Sequence, residues 1–203
     1  MHLKRVAIAI VLIFITLGLV PILMVVSQWS ANEQAYGISS NDSEQLSFSW
    51  QGVDKHIHHF PASSAGYTYL FMGFLSCSEI CPIRIQQMMQ LEQHIQQDAL
   101  LTGAEVQFMF VTIDPNNDTL AVRKSIIDDI SPRFVSASLS DDALQQLDRR
   151  LSENINLELA SINHVGKLFL LSPNGAVKRI YTSQQLSTQK MLLELKQIIS
   201  SET

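Results

Sequence analysis

The sequence is short of positive charge, of cysteine and of internal repeats. Its 203 residues include 14 lysines and arginines against 19 aspartates and glutamates, with no basic stripe along the chain. A surface that binds nucleic acid needs such a stripe, so this class of partner is excluded. Only two cysteines occur, Cys77 and Cys81, and any thiol chemistry depends on them. The length fits one domain with an appendage.

Basic residues are also absent between Arg5 and Lys55, a gap that contains a long apolar segment. Residues 6–26 are almost entirely alanine or large apolar residues. At about 1.5 Å per residue, a helix of this length spans roughly 31 Å and matches a hydrocarbon core of about 30 Å. Lys4 and Arg5 precede the run and no basic residue follows it closely. Because positive charge favours the cytoplasmic side, we expect residues 1–5 to stay in the cytoplasm and the chain after residue 26 to face outward.

A cleavable signal peptide is the alternative for this segment. Its apolar region usually has about 7–15 residues and ends in a small-x-small site, for which Val25-Val26-Ser27 is a weak candidate. The length of the run favours an uncleaved transmembrane anchor instead. The leader lacks the Arg- and Ser-rich pattern of an organelle import signal. We therefore expect a bacterial inner-membrane protein whose soluble part lies in the periplasm.

Residues 27–45 are rich in Ser, Asn, Gln and Glu, so they predict a flexible linker ahead of a domain over 46–203. Alternation and continuous apolar runs predict strands at 46–50, 67–74, 105–113, 134–138, 167–171 and 176–181, the first followed by a turn and a return strand. Helical spacing predicts four inner faces: Ile85, Met88, Met89, Leu91 and Ile95; Val122, Ile126, Ile127 and Ile130; Leu144, Leu147 and Leu151; and Leu186, Leu192, Leu195 and Ile199.

Local signals mark where these helices begin. Pro82 suits a first helical turn, where its missing N–H costs nothing, and Asp118 and Ser140 suit N-caps. Strand, helix, strand, helix, strand hairpin and closing helix is the thioredoxin-like order. The predicted fold class is therefore α/β and thioredoxin-like, with a mixed central sheet flanked by helices and an N-terminal transmembrane helix.

The cysteines stand four residues apart where the first central strand is predicted to pass into its helix. Sites gather at that carboxyl edge of open α/β sheets. N–H groups at the helix start should stabilise a thiolate and lower the pKa of Cys81, with Cys77 one turn earlier. Two thiolates suit a soft metal such as copper, and a vicinal pair also suits disulfide exchange. A purely structural disulfide is disfavoured, because a loop of three residues removes little chain entropy.

His164 follows Cys81 by 83 residues, ahead of the strand predicted over 167–171. A lone histidine is more often exposed or structural than a ligand. Its interest as a third ligand comes from the predicted fold, which allows its segment to approach the cysteine loop.

These motifs together resemble the Sco/SenC family of copper-binding proteins. Residues 73–82 (GFLSCSEICP) are similar to the family's CxxxCP segment, and residues 112–119 (TIDPNNDT) are similar to its "DP…DT" segment. Asn163-His164, followed by residues 170–175 (LLSPNG), resembles the family's histidine strand and the turn after it. The resemblance extends over roughly residues 46–200.

The resemblance implies a thioredoxin-like domain that binds copper through Cys77, Cys81 and His164, as Cu(I), Cu(II) or both. It also implies a role with cytochrome c oxidase: copper delivery to the binuclear copper site, or reduction of that site's cysteines. The expected partners are an oxidase subunit or another copper or thiol carrier. Family members often have Asp where this chain has Asn163, a difference that bears on Cu(II) preference or docking.

A thiol–disulfide oxidoreductase is the second hypothesis, with Cys77 and Cys81 as its redox pair. Its motif has one residue more than the usual spacing, and no Xaa-Pro pair precedes Val165. A peroxidase with one reactive cysteine is a weaker third hypothesis, because a Thr-x-x-Cys-Thr type motif is absent.

Several other residues have simpler interpretations than metal binding. His56, His58 and His59 form a candidate auxiliary site, but alternation on an exposed hairpin gives the same pattern. The methionines Met72, Met88 and Met89 fit core filling better than thioether ligation. Asp114 suits the start of a turn as well as a place beside the site, and Glu79 is expected to face solvent.

Overall fold

The computed structural model describes residues 36–40, 45–63, 66–101, 103–155 and 166–202, all within one unit, Tyr36–Thr203. The predicted tip, anchor and most of the predicted linker lie outside these ranges. Among the residues described, no helix has the length and apolar character needed to cross a membrane.

The described elements alternate between strands and helices along most of the chain. They are β1 (Ile38–Ser39), β2 (Phe48–Gln51), β3 (Ile57–Phe60), β4 (Tyr67–Gly73), α1 (Ile80–Gln97), β5 (Val106–Thr112), α2 (Leu120–Arg123), β6 (Phe134–Ala137), α3 (Asp141–Leu151), β7 (Leu168–Leu171), β8 (Val177–Tyr181) and α4 (Thr188–Glu202). The helix α2 continues directly into a π-helical turn, Lys124–Asp128.

The main sheet has the strand order β1-β8-β7-β4-β5-β6. Strands β4, β5 and β6 are parallel, whereas β7 runs antiparallel to β4 and β8. The predicted mixed sheet of thioredoxin-like order is thus confirmed. The predicted N-terminal hairpin is also confirmed, as a separate two-stranded sheet of β2 and β3.

The core is centred on β4, whose seven residues are all buried. A central strand flanked by parallel and antiparallel neighbours is covered on both faces, so a continuous apolar run is what it requires. Aromatic rings extend this core across the parallel strands. Tyr69 stacks on Phe108 at 5.5 Å between centroids, and Phe108 stacks on Phe134 at 4.8 Å.

The inner face of α1 differs from the predicted one. Met88, Leu91 and Ile95 are fully buried, as the spacing predicts, but Met89 is 37% exposed. Polar side chains share the buried face, among them Arg84 with no exposed surface. Their burial is possible because they hydrogen-bond to neighbouring segments, a circumstance that hydrophobic spacing does not register.

The helix after β5 corrects two further predictions. Thr119, not Asp118, is its N-cap, and the Thr119 hydroxyl accepts a hydrogen bond from the Val122 N–H. Ile127 is fully buried but Ile126 is 42% exposed, because the π-helical turn shifts the register of the inner face. Arg123 occupies a buried position instead. The next helix, α3, follows its prediction, with Ser140 as N-cap.

Ile38 and Ser39 belong to the sheet as β1, although they lie in the stretch predicted as a flexible linker. Ile38 pairs with Ile180 of β8. The carboxylate of Glu194 in α4 accepts the Gly37 N–H at 3.2 Å, and the Tyr36 hydroxyl accepts the Ser187 N–H at 2.7 Å. These contacts fasten the start of the described chain to β8 and α4.

Candidate metal centre

The two cysteines lie where β4 passes into α1, at the carboxyl edge of the sheet. Cys77 lies in the loop and is partly exposed, and its N–H donates to the Phe74 carbonyl at 3.3 Å. Cys81 is the second residue of α1 and is only 1% exposed. Pro82 falls in the first helical turn, as predicted. Both cysteines are free thiols.

Asp118 fixes the loop that carries Cys77. Its carboxylate accepts the Leu75 N–H at 3.0 Å and the hydroxyl of Thr112, the last residue of β5, at 2.6 Å. Burial raises the pKa of Asp118, although both hydrogen bonds oppose that effect. The sequence did hold a signal for this role: residues after β5 meet the loop after β4, because parallel strands end at the same edge.

A glycine at the end of β4 makes room for the second cysteine. A Cβ atom at Gly73 would lie 3.1 Å from the Cys81 sulfur and 2.8 Å from the Phe71 ring. The sulfur of Cys81 therefore packs directly against the strand backbone. This close approach explains why the thiol is buried while its partner is not.

The two thiols differ in acidity, in the opposite sense to the prediction. For Cys77, partial burial acts to raise the pKa, but N–H groups of Cys81, Glu79 and Ile80 and the Cys81 thiol outweigh it, and the pKa is lowered. For Cys81, burial is dominant and raises the pKa well above its ordinary value. The helix start thus stabilises a thiolate on Cys77, not on Cys81.

This asymmetry defines what the pair can do chemically. Cys77 offers an accessible sulfur that ionises readily, and Cys81 offers a second sulfur from behind it. Thiolate sulfur is the ligand type that soft metals prefer. An accessible thiol of low pKa is also the attacking group in disulfide exchange.

His164 and its neighbour Asn163 lie outside the described residues. Gly166, two positions after His164, is described and lies against the cysteine helix, because a Cβ there would come 2.6 Å from the Ile80 side chain. Its carbonyl accepts a hydrogen bond from Arg84 Nε at 2.7 Å. Over the described ranges, no group of three or more His, Cys, Asp and Glu side chains is arranged to hold a metal ion.

The histidines of the β2–β3 hairpin contact other protein groups. His58 Nε2 lies 2.9 Å from Asp54 Oδ2, and His56 Nδ1 lies 3.3 Å from the same oxygen. The His58 ring stacks on Trp50 at 4.5 Å. His59 Nδ1 lies 2.9 Å from the Ser49 hydroxyl. The arrangement matches the exposed-hairpin interpretation of this pattern.

The remaining candidates have structural roles. Met72 and Met88 are fully buried, which confirms core filling for these two, whereas for Met89, which is 37% exposed, that interpretation is wrong. Asp114 begins a turn, since its carbonyl accepts the Asp118 N–H at 2.9 Å and its carboxylate accepts the Asn117 side-chain N–H at 2.7 Å. Glu79 is exposed, as expected.

Taken together, the fold and this site define a thioredoxin-like domain with an asymmetric dithiol at the carboxyl end of its central strand. The chain belongs to the SCO1/SenC family, whose profile matches residues 42–200. The resemblance read from the motifs is thereby confirmed.

Individual relatives agree with this membership. The mitochondrial protein SCO2 homolog of Bos taurus is 25% identical over 129 residues, 61% of this chain and 48% of that protein. The crystal structure of Arabidopsis thaliana ScoI with copper bound superposes with a TM-score of 0.62 at 18% identity, covering 75% of this chain and 98% of that one. BsSco, described as a member of the Sco family of cytochrome c oxidase assembly proteins, gives 0.62 at 17% identity, covering 79% and 96%.

The share of the relative's length that this chain covers differs between the curated sequences and the solved structures. The chain spans about half the length of the curated relatives that it matches. It covers nearly all of the Sco structures, whose identity to it is low. The structural likeness therefore concerns the fold of the domain.

Proposed function

We propose that this protein binds copper and serves the assembly of cytochrome c oxidase. Cys77, Cys81 and His164 are the proposed ligands. The observation that carries the proposal is the asymmetric dithiol at the end of β4, in a chain of the SCO1/SenC family. Copper-bound structures of Sco proteins from Arabidopsis thaliana and yeast support the choice of metal.

The proposed ligands match the chemistry of copper in both oxidation states. Two thiolates favour Cu(I), and an added imidazole makes a site that also accepts Cu(II). Gly166 lies beside Ile80 of the cysteine helix, and two residues of chain reach about 7 Å at most, which supports the proposal of His164 as a ligand. Copper is here a cargo, which the site takes up and passes on.

The role in oxidase assembly follows from the same thiol and copper chemistry. The dithiol delivers copper to the binuclear copper site of the oxidase, or it keeps the cysteines of that site reduced. Residues 6–26 anchor the domain on the periplasmic side of the bacterial inner membrane. Protease added to spheroplasts should then digest the domain of the intact protein, and protection of the domain would refute this orientation.

Copper titration of the full chain in detergent tests the ligand assignment. We expect about one copper per chain, with thiolate-to-copper charge-transfer absorption. Cys77→Ser should abolish that absorption, and His164→Ala should weaken Cu(II) binding while Cu(I) binding persists. Ser78→Ala, in the same loop, is the matched control and should change neither. Charge-transfer absorption that survives Cys77→Ser would refute the site.

A thiol–disulfide oxidoreductase remains the second candidate, favoured by the lowered pKa and partial exposure of Cys77 beside a buried Cys81. Reduction of insulin disulfides at a useful rate, together with weak copper binding, would support it over copper transfer. The two roles are compatible, because copper binding requires the reduced pair.

A further inference from the structure

Gly166 is held from both sides by charged side chains. Its carbonyl accepts from Arg84 Nε at 2.7 Å, and its N–H donates to Glu153 Oε2 at 3.3 Å. The next N–H, of Lys167, donates to Glu153 Oε1 at 3.0 Å. We call Arg84, Glu153 and Gly166 the Gly166 clamp.

The arginine of the clamp belongs to the cysteine helix. Arg84 lies three residues after Cys81 on α1 and has no exposed surface. Besides Gly166 it bonds to the Gln87 side chain at 2.6 Å and to the Ser183 carbonyl at 2.7 Å. Burial lowers the pKa of Arg84 to about 10, an effect that the charge of Glu153 opposes, so the guanidinium stays cationic at neutral pH.

The glutamate of the clamp is presented by an unusual stretch of backbone. Glu153 has no exposed surface and stands between two left-handed residues, Ser152 at φ 52° and Asn154 at φ 56°. Non-glycine residues adopt this conformation rarely, and they do so where the surroundings enforce it. Lys167 Nζ also bonds to the Ser152 carbonyl at 2.5 Å.

The backbone held by the clamp has a conformation that favours glycine. Gly166 has φ +69°, and a Cβ there would meet Ile80, the residue before Cys81, at 2.6 Å. Arg84 and Ile80 thus fix this backbone against the first two turns of the cysteine helix. Buried charges are costly to maintain for packing alone, and these act on the backbone two residues from the proposed imidazole ligand.

We propose that Arg84 and Glu153 are positioning residues of the copper site, which hold Gly166 so that His164 is preorganised toward the two thiols. This inference rests on the proposed copper function. Preorganisation matters most for the oxidation state that needs the imidazole. Cu(II) affinity therefore depends on the clamp, whereas Cu(I), held by two thiolates, depends on it little.

The experiment measures Cu(II) and Cu(I) affinities of the full chain for Arg84→Met, Arg84→Lys and Glu153→Gln. Residues that orient metal ligands typically contribute about 10–100-fold in affinity. We expect Arg84→Met to lower Cu(II) affinity by about that factor, to lower Cu(I) affinity less than about threefold, and to weaken nitrogen coupling in the Cu(II) EPR spectrum. Lysine should restore part of the loss, since it keeps one donor and the charge.

A double-mutant cycle separates positioning from general destabilisation. In a His164→Ala background, Arg84→Met should cause no further loss of Cu(II) affinity. Arg179→Met is the matched control, because Arg179 also pairs with a buried carboxylate, Glu194, at 2.6 Å but lies outside the clamp. It should leave both affinities unchanged. Glu153→Gln keeps the shape of the side chain and covers the case in which Arg84→Met does not fold.

The possible failures are distinguishable. If His164→Ala leaves Cu(II) binding unchanged, the proposed ligand set fails and the clamp proposal fails with it. If His164 proves to be a ligand but Arg84→Met and Glu153→Gln keep wild-type Cu(II) affinity, only the clamp proposal fails. Equal losses of Cu(II) affinity with and without His164 would also overturn it, because they indicate a structural effect.

Discussion

Cys77 and Cys81 share one motif but have different surroundings. The sulfur of Cys81 packs on the backbone of Gly73, whereas Cys77 receives N–H groups from the first residues of α1 and stays partly exposed. A thiol reacts as the thiolate, so both access and pKa favour Cys77. The accessible and ionisable sulfur is therefore the first of the pair in sequence.

Alkylation should reveal this difference directly. At neutral pH we expect iodoacetamide to modify Cys77 at least about tenfold faster than Cys81, since burial and a raised pKa both suppress the thiolate of Cys81. The Cys77 rate should rise with pH and reach half its maximum at a lower pH than an ordinary thiol does, because its pKa is lowered. Mass spectrometry of digested samples measures both rates. Cys81→Ser should retain the fast reaction, and faster labelling of Cys81 would contradict the assignment.

Between elements, the cysteine loop depends on a neighbouring strand. Asp118 joins the loop after β4 to Thr112 at the end of β5, so the position of Cys77 is set by a contact 41 residues away in sequence. Such a contact exists only because β4 and β5 are parallel neighbours.

Removal of this carboxylate should loosen the loop. Asp118→Ala leaves the Leu75 N–H and the Thr112 hydroxyl without their acceptor, and we expect a loss of about 1–3 kcal/mol in the free energy of unfolding. Asp118→Asn keeps one acceptor oxygen and should lose less. Asp114→Ala, in the adjoining turn, is the control, with an expected loss below about 1 kcal/mol. Urea denaturation gives the values, and equal losses for the two alanine variants would exclude the special role of Asp118.

The features that the sequence predicted follow from hydrophobic pattern, whereas those that it missed depend on buried charges and on a local change of helix type. Continuous apolar runs such as 67–74 predicted the central strands, because burial on both faces demands them. Arg84 and Glu153 were missed as buried groups, since hydrophobic spacing assigns charged residues to the surface. The π-helical turn after Arg123 moved Ile126 outward, and no local pattern marks such a turn. The site was half predicted: the cysteine pair was located, but its acidity was assigned to the wrong sulfur.

At the scale of the whole molecule, the domain includes residues ahead of the predicted boundary at 46. Glu194 accepts hydrogen bonds from Gly37, from Arg179 at 2.6 Å and from Tyr181 at 2.7 Å. This buried carboxylate therefore connects β1, β8 and α4. A domain cut at residue 46 would remove the strand and one of these donors.

Truncation should measure this contribution. A chain that starts at residue 46 should be less stable than one that starts at residue 36 by about 2–3 kcal/mol, because it loses the pairing of Ile38 with β8 and leaves Glu194 with fewer donors. Urea unfolding of the two chains compares them. A Gly37→Pro variant of the longer chain, which removes the N–H donated to Glu194, should lie between them. Coincident unfolding midpoints for the two chains would show that residues 36–45 add nothing.

The two edges of the main sheet bear on the solubility of the domain. On one side the outermost strand, β1, has only two residues. On the other, the chain just beyond β6 is joined to the hairpin, since the Gln51 N–H donates to the Ser138 carbonyl at 2.8 Å and the Gln51 carbonyl accepts the Ser138 N–H at 3.0 Å. Long unpaired edges are templates on which a second chain adds a strand and aggregation begins. In the part of the chain that the structure describes, one edge is a strand of only two residues and the other is joined to the hairpin. Both edges therefore offer little unpaired backbone, which favours a domain that stays monodisperse at high local concentration.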